Sequence, residues 1–220
     1  MSNSAPSRER DAEARKERLL QAATQVFAKD GFAKGSLRQI CLKARANLAA
    51  VKYYFGDKQS LYREVLLENH RRALEHEPRV QFDTTRPPEE VLREWIHFCL
   101  RFILLKRSRH PMLGQLMAHE MREPTPCLDQ FLKLVVRPFH EELRRIIAAV
   151  LRKPKPDTQC EILAHHIIGL CIHFDHGRVI IDRLGSPVPK TEPEIENLAA
   201  GIADFALHGL AGLRANAAKK

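Results

Sequence analysis

Four histidines fall between positions 160 and 176, and His165, His166, His173 and His176 share that stretch with Cys160, Cys171 and Asp175. His173 and His176 are three residues apart and face the same way on a helix, with His166 two turns earlier. Imidazoles and thiolates so placed can hold a transition metal, and His119 or Glu120 from another helix would complete the set. The stretch has no H-E-x-x-H pair and no C-x-x-C pair, so no metal and no cofactor is assigned. The histidines are read instead as the few polar groups of an otherwise apolar ligand pocket. A metal-dependent hydrolase built on them is the enzymatic alternative; against it, no nucleophile–base pair is recognisable.

A second stretch, SLRQICLKARANLAAVKYYFGDK over 36–58, is made for a polyanion. Ser36 with Gln39 three places on has the spacing of a capping box, and Leu37 and Ile40 give the helix it opens an apolar side. Arg45-Ala46-Asn47 breaks that pattern, and Asn47 is placed to cap a second short helix, Leu48 to Tyr54. Gly56 stops it, and Asp57 is placed to cap the next. Two short helices joined by about four residues have the proportions of a helix-turn-helix, whose second helix enters the major groove. Charge agrees: residues 1–72 hold 15 Lys/Arg against 8 Asp/Glu, whereas 73–220 hold 21 against 19. A basic front segment on a nearly neutral body points to nucleic acid for the front segment alone.

Other elements must hold these two stretches in place. Residues 1 to about 11 read as a flexible arm, and a first helix over about 12–30 carries Leu19, Ala22, Ala23, Val26 and Phe27 on one stripe before Gly31 ends it. A fourth helix, from Lys58 to about Glu75, buries Leu61, Tyr62, Val65 and Leu66 and has one end in the head and the other in the body. Residues 76–86 read as a boundary. Pro87-Pro88 with Glu89-Glu90 then opens a helix to about Lys106, apolar around much of its circumference. A helix over about 112–122 follows, then Pro124 and Pro126, then a long helical segment to Arg152 that Pro138 should kink near 135–137. Thr158 with Glu161 and Thr191 with Glu194 repeat the capping-box spacing and open helices over about 158–184 and 192–214. No alternating pattern of strands appears. The expectation is an all-α chain of about nine helices, with a DNA-binding domain at 12–75 and a larger ligand-binding and dimerisation domain at 76–220.

Five cysteines without a C-x-x-C pair read as reduced, core-filling thiols. The first 18 residues are too charged for a secretory signal, and the run FCLRFILL is interrupted by Arg101. A cytoplasmic protein with no membrane partner is expected.

The chain also resembles the TetR-type transcriptional regulators. The residues that carry the likeness are Leu20-Gln21-Ala22-Ala23, Phe27, Gly31-Phe32, Ser36-Leu37, Ile40-Cys41, Ala44, Val51, Tyr54-Phe55, Lys58 and Leu61. The stretch from Asn47 to Lys58, with Pro124-Thr125-Pro126 and Arg137-Pro138-Phe139-His140, is similar to the CecR-like branch. The resemblance implies that Ser36, Arg38, Asn47, Leu48, Ala49, Ala50 and Lys52 face the DNA and that Tyr53, Tyr54 and Lys58 meet phosphates. It further implies a transcriptional repressor with a palindromic double-stranded DNA operator, a small-molecule effector and a homodimer. The effector pocket is expected among Trp95, Phe98, Cys99, Phe102, Leu116, Met117, Phe131, Leu134, Leu170 and His173. Ile195, Leu198, Ala199, Ile202, Phe205, Ala206 and Leu210, with Gly201 and Ala203 nearby, resemble the family's dimer-forming helices. An effector-free architectural DNA binder is the other alternative. Two positions depart from the pattern: Arg45 stands where the turn usually has Gly, and Ala46 where it has Val.

Overall fold

The computed structural model describes residues 5–75, 83, 85–186 and 188–217. Among them are eleven α-helices, one π-helical turn and no strand. The chain forms two compact units, Met1–Glu75 with Arg107–Lys133, and His76–Lys106 with Leu134–Lys220. Most of the expected boundary, 76–82 and 84, lies outside the described residues.

The first unit contains α1 (Ala5–Lys34), α2 (Leu37–Ala44), α3 (Leu48–Phe55), α4 (Lys58–Leu74), α6 (Pro111–Arg122) and α7 (Pro126–Phe131). The helix α1 begins earlier than expected, and Ala5 to Asp11 are helical rather than an arm. Proline is tolerated in a first turn, Arg8, Glu9 and Arg10 are good helix formers, and just beyond the segment Glu13 pairs with Lys16 at 3.8 Å. Gly31 breaks α1 at φ 73°, ψ 176°, a conformation essentially reserved for glycine. The stripe Leu19, Ala22, Ala23 and Phe27 is buried with Ile40, Val51, Leu61 and Tyr62. Tyr62 meets Phe27 edge-on at 4.9 Å between ring centroids and Phe32 at 5.0 Å.

Residues 107–133, left in the second domain by a division at 75/76, pack within this first unit, with α6 on α1 and α4 and α7 on α4. Their apolar side chains Leu113, Leu116, Cys127 and Phe131 are buried there. Three polar contacts fix the register. The Nε2–H of His119 donates to the Ala28 carbonyl at 3.1 Å, and Arg122 donates to the Nδ1 of His119 at 2.9 Å, which together select one tautomer. The Cys127 thiol donates to the Gln59 carbonyl at 3.4 Å.

The second unit is built on α5 (Pro88–Arg109), α8 (Arg137–Val150), α9 (Thr158–His176), α10 (Arg178–Arg183) and α11 (Glu192–Ala217). Leu92, Trp95, Ile96, Leu100, Leu143, Ile146, Cys160, Ala164, Ile195 and Ala199 are central to its core, and Trp95 stacks on Phe139 at 4.3 Å. The kink expected before Pro138 takes the form of a π-helical turn, Leu132–Val136. Proline has no N–H to give and crowds the preceding turn, and one wide turn accommodates both faults.

Three further expectations are corrected. The α9 N-cap is Asp157, whose carboxylate accepts from the Cys160 N–H at 3.0 Å, so Thr158 is the first helical residue instead. The expected 158–184 helix is broken at Gly177, where an added Cβ would lie 2.8 Å from the His173 carbonyl oxygen. That break and the π turn raise the helix count above nine. Glu194 accepts from the N–H groups of Lys190 at 2.8 Å and Thr191 at 3.1 Å, which is the carboxylate half of the expected box. All five cysteines are buried thiols outside any disulfide.

Candidate nucleic-acid interface

The two short helices of the first unit are capped as their sequence dictates. The Ser36 hydroxyl accepts from the Gln39 N–H at 3.2 Å, and the Gln39 side chain accepts from the Ser36 N–H at 2.8 Å, a complete capping box. Asn47 accepts from the Ala50 N–H at 2.9 Å, and Asp57 from the Ser60 N–H at 2.7 Å. The bond from the Ser60 backbone holds the Asp57 carboxyl below its usual range, so this cap is charged at neutral pH. With their ends satisfied, two eight-residue helices become stable platforms.

The turn between them closes on Arg45, at φ 50°, ψ 47°. Ala46 N–H donates to the Cys41 carbonyl at 2.9 Å and Arg45 N–H to Leu42 at 3.3 Å, the paired bonds of a Schellman motif. That motif requires a left-handed residue at Arg45, the position where the resemblance implies Gly, and an L side chain there carries a steric cost. The turn adopts this geometry with arginine at the left-handed position.

Burial separates structural from outward-facing residues. Ile40, Cys41 and Ala44 of α2 and Val51 and Phe55 of α3 are inside. Arg38, Asn47, Leu48, Ala49, Lys52 and Tyr53 are exposed, while Ser36, Ala50, Tyr54 and Lys58 are half-buried. Tyr53 is 82% exposed, a large aromatic surface that meets the edge of the Tyr54 ring at 5.0 Å. Leu42, equally exposed, lies one turn after Arg38 on the same side of α2. Sequence reasoning passed over Leu42, although a leucine that interrupts the buried set Ile40, Cys41 and Ala44 was the available signal.

Lys58, expected to meet a phosphate, has its ammonium engaged by backbone and ring in the first unit. Its ammonium donates to the Ala33 carbonyl at 3.3 Å and lies over the Phe32 ring at 4.7 Å. Burial shifts its pKa downward, as expected for an ammonium turned inward. The side chain joins the start of α4 to the end of α1.

The residues expected to line an effector pocket are divided between the two units. Leu116, Met117 and Phe131 are in the first unit, the others in the second. Leu116 and Phe131 are buried in packing of α6 and α7. Trp95, Phe98 and Cys99 are buried in the second unit, with Phe98 5.6 Å from Phe139 and 6.3 Å from Phe102. Leu170 is half-buried, and Leu134 and His173 face outward. His166 and His176 are exposed as well, so the four histidines of α9 do not converge on one point. A polar cavity of about 540 Å³ lies in the first unit, lined by Lys29, Lys34, Tyr62, His119, Glu120 and Thr125 among others.

Comparison with known proteins agrees with this arrangement. Residues 19–65 match the family model described as bacterial regulatory proteins, tetR family, and residues 88–212 match that of the C-terminal domain of the HTH-type transcriptional dual regulator CecR. The CecR dual regulator of Shigella flexneri is 30% identical over 175 residues, 76% of this chain and 78% of that protein. The HTH-type transcriptional repressor NicS of Pseudomonas putida is 32% identical over 113 residues, 51% of each. Among solved structures, HlyIIR, a hemolysin II transcriptional regulator, superposes with TM-score 0.56 at 20% identity, covering 88% of this chain and 97% of that one. A transcriptional regulator from Rhodococcus sp. Rha1 gives 0.55 at 20% identity, covering 88% and 96%. At such identities the likeness is one of fold. No helix among the described residues is long and apolar enough to cross a membrane.

Proposed function

Because the chain belongs to the TetR family of DNA-binding transcriptional regulators, on its CecR-like branch, we propose that it acts as a repressor: a homodimer on a palindromic operator, relieved by a small molecule. The observation that carries the DNA-binding half is the pair of fully capped helices α2 and α3, with Arg38, Lys52 and Tyr53 turned outward and an apolar side turned in. Arg38 and Lys52 are the long cationic donors suited to guanine O6 and N7 or to phosphate. Ala49 and Ala50 offer only small apolar contact, as to a thymine methyl. Tyr53, Tyr54, Ser36 and Asn47 supply hydroxyl and amide groups at the rim, and Leu48 an apolar one. Lys58 acts at one remove, holding the α3–α4 turn against α1.

The effector half rests on family membership and on the placement of α6 and α7. These two helices come from the middle of the chain, yet they pack on α1 and α4. Any change in their position must be read by the helices that support α2 and α3. An effector in the second domain, among Trp95, Phe98, Cys99 and Phe102, would act by binding two arrangements of the chain with different affinity.

Selection from random double-stranded DNA with the full chain tests the first half. The expected product is a palindrome with half-sites separated by whole helical turns, and Arg38→Ala should flatten the preference between that palindrome and its variants. Recovery of unpatterned sequences would favour an architectural DNA binder and sink the reading.

A further inference from the structure

The side of α9 that meets α8 brings together three groups that the DNA-binding function does not use. His140 is on α8; Glu161 and His165 are one turn apart on α9. Both imidazoles turn their Nε2 toward the same carboxylate oxygen, Oε1 of Glu161, at 3.7 Å from His140 and 3.5 Å from His165. One ligand atom from each residue lies within 4.8 Å of the other two.

These separations are too long for hydrogen bonds and are what a bound ion requires. Donors about 2.0–2.2 Å from a tetrahedral zinc lie roughly 3.4 Å from one another. Two of the three edges are within a few tenths of an ångström of that, and the third closes by side-chain rotation. Nε2 of His140 is buried and has no hydrogen-bond partner, a cost that a native structure ordinarily avoids. The other carboxylate oxygen, Oε2, forms an ion pair with Arg144 Nε at 2.8 Å, without the alignment of a hydrogen bond, which draws Oε2 to the guanidinium and leaves Oε1 for an ion. His165, 66% exposed at its side chain, gives access from solvent, whereas His140 is 16% exposed.

We propose that His140, Glu161 and His165 form a site for one divalent transition-metal ion per chain, with water completing the coordination. Two imidazoles and one carboxylate suit Zn²⁺, Ni²⁺ or Co²⁺ and disfavour the hard ions Mg²⁺ and Ca²⁺. The guanidinium of Arg144 opposes the ion's charge, so the site is weaker than a closed thiolate one. Its physical effect is to clip α8 to α9. The set differs from the four α9 histidines considered in the sequence: only His165 is common to both, and its partners are one turn back and on another helix.

The test uses the full chain, stripped with a chelator and titrated with Zn²⁺ by calorimetry, with Co²⁺ as a spectroscopic stand-in. One ion per chain is expected, with a rise in thermal midpoint and a cobalt spectrum free of thiolate-to-metal bands. His165→Ala removes an exposed ligand without disturbing the core. It should weaken binding by at least the roughly 10–100-fold known for lost outer-shell partners. Glu161→Gln should do likewise, and His176→Ala, at the exposed far end of α9, should leave affinity unchanged. Absence of stoichiometric binding overturns the proposal. So do unchanged affinity in both His165→Ala and Glu161→Gln, or thiolate bands in the cobalt spectrum. None of these readouts depends on DNA binding.

Discussion

The ammonium of Lys58 lies 4.7 Å from the centroid of the Phe32 ring and 3.3 Å from the Ala33 carbonyl oxygen. One lysine at the start of α4 thereby satisfies the backbone just after the Gly31 break in α1, across 25 residues of sequence. Lys58→Ala should therefore lower stability by about 1 kcal/mol, from the lost cation–π contact and hydrogen bond. Its effect on DNA affinity should come with little change in salt dependence. Lys52→Ala, on an exposed side chain, should leave the melting curve alone and lower the salt slope by about one unit. Binding isotherms over a salt series, beside thermal melts, distinguish the two lysines. A full-unit drop in slope for Lys58→Ala would restore it as a phosphate contact.

Arg45 and Arg152 are the described non-glycine residues with positive φ, at 50° and 58°. Each follows a helix and sits in the same pair of bonds: Arg152 N–H to Ala149 at 3.0 Å and Lys153 N–H to Ala148 at 2.8 Å repeat the pattern of Arg45 and Ala46. Glycine would remove a left-handed cost of roughly 1–2 kcal/mol and give back about 0.4–1 kcal/mol through unfolded-state entropy. Arg45→Gly and Arg152→Gly should each stabilise by a net amount of about 0.5–1 kcal/mol. Denaturant titrations decide it, and a lower midpoint for either variant would count against strain at that turn.

Gly31 cannot be replaced so easily. Its φ of 73° and ψ of 176° lie where only glycine is comfortable, and a Cβ there would sit 2.9 Å from Nδ1 of His119. Gly31→Ala should cost about 2 kcal/mol, mostly from the backbone. Part of the loss should depend on His119, so the double variant with His119→Ala should be less damaged than the sum of the singles by about 0.5 kcal/mol or more. Strict additivity would mean that the imidazole simply moves aside.

Local signals carried most of the fold. Caps at Ser36, Asn47 and Asp57 were legible because a helix end is satisfied by residues within three positions of it. The kink before Pro138 was legible for the same reason, since proline acts on its own preceding turn. Asp157 was overlooked as the cap because Thr158 offered a competing three-residue spacing. What lay beyond the sequence was partnership between distant segments. Nothing near Leu116 or Phe131 says that they pack in the first unit, and nothing near Lys58 says that Ala33 and Phe32 will engage its ammonium. A pocket is the hardest feature to read from the sequence, because an apolar residue that lines a cavity and one that fills a core have the same pattern along a helix. The trio His140, Glu161 and His165 was hidden likewise: its two α9 members are adjacent, but the third comes from α8.

The last prediction concerns the homodimer: burial divides the expected α11 stripe into an inward part and an outward part that keeps Phe205. Ile195, Ala199, Ile202, Ala206 and Leu210 of α11, read as part of a dimer stripe, are buried in their own subunit, and Ala203 is 1% exposed. Ala203→Arg would therefore bury an unpaired charge in the core and unfold the chain, and is no probe of assembly. The opposite side of α11 has Gly201, Phe205, Gly209 and Gly212 at helical spacing, with Phe205 72% exposed and open space around all three glycines. Helix α9, which packs beside α11, presents Ile162, Gly169 and His173 outward in the same way. Small residues let helix backbones approach closely, and a ring or an isoleucine beside them fills the remaining gap, so two such surfaces fit a four-helix bundle made from two subunits. An exposed phenylalanine is otherwise a liability in an isolated chain. Phe205→Glu should place like charges across the twofold axis without touching the core, leaving the thermal unfolding of the monomer cooperative. Light scattering should then give a mass near 25.2 kDa for the variant and twice that for the wild type. The variant should also lose affinity for a two-half-site operator far more than for a single half-site, because only the dimer engages both. A Phe205→Glu chain that remains dimeric would move the interface off this side of α11.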